Sequence, residues 1–105
     1  MRMVISGLWG DLRGKPKDQE QTFLALLKEA LECSNLRLDD MAIDQETGGV
    51  SAQVPDFPDH DTEVMASLLV FASYLRLELN RKIQFTVSFP DYGEAGLKVG
   101  IVSDD

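Results

Sequence analysis

The run Ile83-Gln84-Phe85-Thr86-Val87-Ser88-Phe89 alternates large apolar with polar side chains without a break. Successive side chains of an extended chain point to opposite faces, so this run is stable as a strand with one face buried and the other wet. A sheet covered on one side only is characteristically antiparallel. The rest of the chain must therefore supply its partner strands and a single covering layer.

The remaining patterns do so in a simple order. Arg2 to Ser6 reads as a short strand, followed by a loop, Gly7 to Pro16, with three glycines and a proline. Asp18, with Gln21 three residues on, predicts a capped helix start, and the helix runs to about Ser34, where Asn35 can close it. Its apolar face is Phe23, Leu24, Leu26, Leu27, Ala30, Leu31 and Cys33, with Lys28, Glu29 and Glu32 opposite. Leu36 to Gln45 reads as a strand with Met41 and Ile43 on one side and Asp40, Ala42 and Asp44 on the other. Thr47-Gly48-Gly49 turns it back into Val50 to Val54. Pro55 and Pro58 end this hairpin, and a second helix spans roughly Thr62 to Asn80 with Val64, Leu68, Phe71, Ala72, Leu75 and Leu79 as its core stripe and Met65 at the border. After Ile83 to Phe89, a turn through Gly93 and Gly96 leads to a last strand, Leu97 to Val102.

The result is an α+β chain in the order β-α-β-β-α-β-β. It is expected as a ferredoxin-like two-layer sandwich with an extra C-terminal strand, both helices on one face of an antiparallel sheet of order 5-4-1-3-2. With 105 residues and no linker, repeat or low-complexity tract, residues 1–105 read as a single domain. The open face would carry Gln84, Thr86, Ser88, Ser51 and Gln53, with Asp40 and Asp44 beside them, which is the default for a one-sided sheet.

A single Cys33 forms no internal disulfide, and its helical setting suits a small buried hydrophobe. Neither a signal-peptide core nor an apolar run of the roughly 18–20 residues needed to span a bilayer is evident, so the expected setting is the cytoplasm, away from membranes. The formal net charge is −8, and it is unevenly spread. Residues 1–37 carry six basic and five acidic side chains, whereas residues 38–105 carry four and thirteen. Leu38 to Leu75 contains no Lys or Arg but has Asp39, Asp40, Asp44, Glu46, Asp56, Asp59, Asp61 and Glu63. Such a surface repels nucleic acid and attracts basic proteins.

No catalytic or cofactor fingerprint is present. Asp56-Phe57-Pro58-Asp59-His60-Asp61-Thr62-Glu63 is rich in oxygen ligands, yet it has neither the glycine of a calcium loop nor a second His or Cys for zinc. It reads better as an acidic helix start, favoured by the helix dipole, than as a metal site. His60 has no Ser, Cys or Lys beside it in sequence to complete a nucleophile pair. Gly7, Gly10 and Gly14 fail the spacing of phosphate-binding loops. Trp9 is either an interface anchor or a lid folded over the sheet. On the second helix, Ala66, Val70, Tyr74 and Leu77 form an apolar stripe on the side away from the core. Either a partner or second copy covers it, or the loop with Leu8, Trp9 and Leu12 does.

In size, acidity and lack of motifs the chain resembles bacterial immunity proteins and phage-encoded anti-defence proteins. The resemblance is one of composition and transfers no residue. It implies a small acidic, non-enzymatic domain that inhibits or neutralises a basic protein partner, without a cofactor or metal. The expected contact residues are Trp9 and the acids at 39, 40, 44, 46, 56, 59, 61 and 63, because clustered carboxylates speed the encounter with a basic surface. The alternative is a homodimeric ferredoxin-like regulatory module that binds a small ligand, joined through Ala66, Val70, Tyr74 and Leu77 or through the terminal edge strand. An enzyme using the Asp56 to Glu63 cluster with a metal ranks third.

Overall fold

Ile83–Phe89 forms the strand that its alternation predicts, with Ile83, Phe85, Val87 and Phe89 buried. The computed structural model describes residues 1–8, 11–34, 36, 38–55 and 61–103, of Asp61 the backbone only. Their elements are β1 (Arg2–Ser6), α1 (Lys17–Cys33), β2 (Asp39–Ile43), β3 (Val50–Gln53), α2 (Asp61–Leu79), β4 (Ile83–Phe89) and β5 (Leu97–Ser103). The fold is α+β, with one five-stranded sheet in the order β2-β3-β1-β4-β5, which read from the other edge is 5-4-1-3-2. Every neighbouring pair is antiparallel. No described helix is long and apolar enough to cross a membrane.

β1 lies at the centre, where Ile5 faces Val50 on one side and Val87 on the other. The buried face of the sheet carries Met3, Ile5, Val50, Ile83, Phe85, Val87, Phe89 and Ile101 into one core with Leu27, Ala30 and Leu31 of α1 and Val64, Leu68, Phe71, Ala72 and Leu75 of α2. Phe71 meets Phe85 edge to face, with ring centroids 5.6 Å apart, joining the helix layer to the sheet. The open face has the row Ser51, Val4, Ser88 across its middle strands. Val4 is nonetheless buried.

Three local readings are corrected. α1 begins at Lys17 after Pro16, and no side chain caps it; Asp18 and Glu20 lie in the first turn instead, where the helix dipole favours them. Cys33 is exposed rather than buried, because it sits on the flank of α1 that faces Tyr74 of α2 instead of the sheet. Leu36 is not in a strand: it turns into the core, and β2 starts only at Asp39. The proposed helix closure at Asn35 lies outside the described residues. α2 ends at Leu79, followed by Asn80 with φ of 52°, the left-handed conformation that Asn adopts more readily than most residues at a helix end.

Candidate protein-binding groove

The β2–β3 turn is tied down by several hydrogen bonds. Asp44, 6% exposed, accepts hydrogen bonds at Oδ2 from the Thr47 hydroxyl (2.7 Å) and Thr47 N–H (3.0 Å), and at Oδ1 from Arg2 Nη2 (2.7 Å). The Thr47 hydroxyl, despite the cost of burial, together with the Thr47 amide and the Arg2 charge, holds the carboxyl below its usual range. Thr47 Oγ1 accepts in turn from Gly49 N–H at 3.1 Å. Gly49 lies so close to the Ile5 carbonyl that no side chain fits there. The turn is thereby pressed against the central strand.

The loop before α1 holds the same turn from outside. Arg13 grips Asp11 through two parallel bonds, Nε to Oδ1 at 3.0 Å and Nη2 to Oδ2 at 2.8 Å, and its Nη1 donates to the carbonyls of Gln45 (2.8 Å) and Glu46 (3.2 Å). Leu12 N–H donates to the Gly48 carbonyl at 2.8 Å. Side-chain and backbone hydrogen bonds from Arg13 depress the Asp11 carboxyl to about 2. Leu8 and Leu12 enter the main core through this contact and do not lie over the outer stripe of α2.

With the hairpin end so fixed, β2 and α1 stand apart and leave a groove of about 460 Å³. Leu24, Leu31, Leu36, Leu38 and Met41 make its apolar floor and walls, while Lys28, Glu32 and Asp40 stand around it. The helical spacing of 24, 28, 31 and 32 places these residues along one flank of α1. Asp40 reaches the groove through a β-bulge. Asp39 pairs with Gln53 and Ala42 with Ser51, so two residues of β2 span one of β3. Asp40 itself has a φ of 55°.

The expected acidic contact residues are thus separated by the fold. Asp39 and Asp40 are exposed at the edge strand, and only Asp40 lines the groove. Asp40 does not belong to the open face, because the extra bulge residue breaks the alternation that would have put it there. Asp44 leaves that face as well: its carboxylate is buried within the turn and engaged by Thr47 and Arg2. Glu46 is exposed on the turn. Asp61 opens α2, and Glu63 is exposed two residues on. Trp9, Asp56, Asp59 and His60 lie outside the described residues. Among the described residues no group of three His, Cys, Asp or Glu is arranged to hold a metal ion.

On α2, Ala66, Val70 and Leu77 are exposed, Val70 at 55% and Leu77 at 74%. Tyr74 is half-buried: its hydroxyl is pushed up by burial and by Glu78, Glu29 and Cys33, so α1 covers this part of the stripe. Leu69, 57% exposed, belongs to the outer surface and was not among the expected contact residues. Its helical angle, just beyond Met65 at the border of the core stripe, was the available signal. The groove was also missed. Its signal was the pair Leu36 and Leu38, whose spacing resembles a strand but which bridge helix and sheet edge. Comparison with family models, with curated proteins and with solved structures finds no match to this chain.

Proposed function

We propose that this chain is a small acidic protein-binding domain, on a ferredoxin-like frame with one appended strand, that captures and neutralises a basic protein partner at the α1–β2 groove. The observation that carries the proposal is an apolar trough whose lip, with Glu32, Asp40 and a single Lys28 and with Asp39 beside it, is acidic on balance. Apolar anchors set into a desolvated centre supply most of the energy of protein contacts, while surrounding charges steer the encounter and select the partner. Of the eight acids between residues 38 and 75, Asp44 is assigned to the fold and not to the contact. The reading assigns the domain no catalysis and no cofactor.

The test is capture from source cells with three baits: the wild type, Asp39→Lys/Asp40→Lys and Leu24→Arg. A basic protein retained by the wild type and lost from both variants supports the proposal. Retention by both variants, or capture of no basic protein, refutes it. The groove volume falls in the range of small-molecule sites, roughly 300–1,000 Å³, which supports a regulatory module binding a small ligand as the second reading. That reading expects an apolar ligand from a cell extract to raise the melting temperature of the wild type and not that of Leu24→Arg.

A further inference from the structure

We infer that two copies of this chain associate through β5, edge to edge and antiparallel about Gly100, so that the sheet continues from one copy into the next. Among the described residues β5 is the outermost strand on its side, and all seven of its residues pair with β4 in one uninterrupted register, from Ile83↔Ser103 to Phe89↔Leu97. A regular edge of this length presents unpaired backbone groups that pair readily with another strand. Lys98 is its one charged residue, and Val102 on the open face is 59% exposed.

The strand is complementary to itself. Turned about Gly100, Lys98 comes opposite Val102 and Val99 opposite Ile101, so no like charges face each other and each lysine stem covers an exposed valine. Leu97 and Val99, half-buried at the margin of the core, gain neighbours on their open side. Gly100 sits at the axis in open space.

The helix layer fits the same axis. α2 packs on both β4 and β5. Strands lie ~4.8 Å apart, so an α2 astride these two strands and its symmetry mate stand two strand spacings apart, ~9.6 Å. That is the separation at which packed helices meet, about 8–10 Å. At roughly 100° per residue, Leu69 and Arg76 share a flank about 140° or more from Tyr74, which faces α1, so this flank overhangs β5. Leu69 is the exposed apolar residue there, and the Arg76 Nε is buried with no acceptor among the described residues.

Charge decides for a second copy against a strongly basic partner. Residues 76–105 carry four basic and five acidic side chains, close to balance, whereas residues 38–63 carry eight acids and no Lys or Arg. This inference does not rest on the groove, which is at the opposite edge of the sheet.

The experiment is sedimentation analysis of the full chain with Val102→Lys and Leu69→Glu, both at exposed positions that the monomer fold does not need. It is joined by mild oxidation of Gly100→Cys in a Cys33→Ser background. The wild type is expected to be a dimer. Each substitution should weaken it about tenfold or more, since Val102→Lys sets lysine against lysine across the axis. Gly100→Cys should cross-link, because residues directly opposite in an antiparallel pair lie about 4.5–5.5 Å apart at Cα, within disulfide reach. A monomeric wild type, a dimer indifferent to Val102→Lys, or a Gly100→Cys chain that stays uncrosslinked would overturn it.

Discussion

The two edges of the sheet are built on opposite plans. β2 has five residues, carries Asp39 and Asp40, is bent by a bulge, and ends in a turn pinned by Asp44, Gly49 and the Arg13 bridge. β5 has seven residues in unbroken register, and its solvent edge has one charge. Bulges, short length and charged side chains are the usual means of keeping an edge strand from recruiting another, and β5 has of these only Lys98. The β2 edge is thus protected against strand pairing while leaving side chains free to make a groove. At β5 the backbone itself is the accessible feature.

If that contrast is right, substitutions at the β2 end damage the fold and those at β5 do not. The largest effect is expected from Gly49→Val, which drives a side chain into the Ile5 carbonyl of the central strand and costs about 3 kcal/mol, measured as a lower urea midpoint. Asp44→Ala follows, at about 2 kcal/mol, because it leaves Thr47 and Arg2 without their common acceptor. The folded-state pKa of Asp44 is depressed, so its contribution is complete above the ordinary value of 3.8 and fades as the pH falls through the lower folded value. The wild-type advantage over Asp44→Ala should accordingly shrink between pH 7 and pH 2 in denaturation curves.

Asp40→Val tests the bulge alone. A β-branched residue resists the left-handed conformation at φ 55°, and about 1–2 kcal/mol should be lost by thermal denaturation. Asp40→Gly should lose no more than a few tenths, because glycine accepts that conformation while adding chain entropy to the unfolded state. At the other edge, Val102→Lys should leave the unfolding free energy of the monomer within about 0.5 kcal/mol of the wild type. A loss there as large as that of Asp44→Ala would erase the contrast.

Legibility in the sequence followed the same division. β4 and β5, where apolar residues alternate or dominate and the register is unbroken, were readable nearly to the residue. The second helix was too, since its core stripe keeps a helical period from Val64 to Leu75. Around β2 the local pattern misled. Leu36 and Leu38 alternate in one phase and Met41 and Ile43 in the other, and the slip between them is where the bulge at Asp40 falls; reading Leu36 to Gln45 as one strand passed over it. The burial of Asp44 depends on Arg2, forty-two positions away. A candidate site made from a helix flank, a connecting segment and a bulged strand has no motif of its own, and only the assembled fold brings its parts together.

The central position of β1 shapes how the chain reaches this structure. Its neighbours are residues 50–53 on one side and 86–88 on the other, so the first strand waits for nearly the whole chain before both its edges are satisfied. Contacts this distant in sequence are made slowly, because a long loop must close before any pairing rewards it. During synthesis α1 and the β2–β3 hairpin can form locally, while Met3, Val4 and Ile5 emerge well before β4 and stay half-paired until it has left the ribosome. Protection of this strand from premature association is therefore a kinetic demand that the finished sheet, in which those three residues are sealed, no longer reveals.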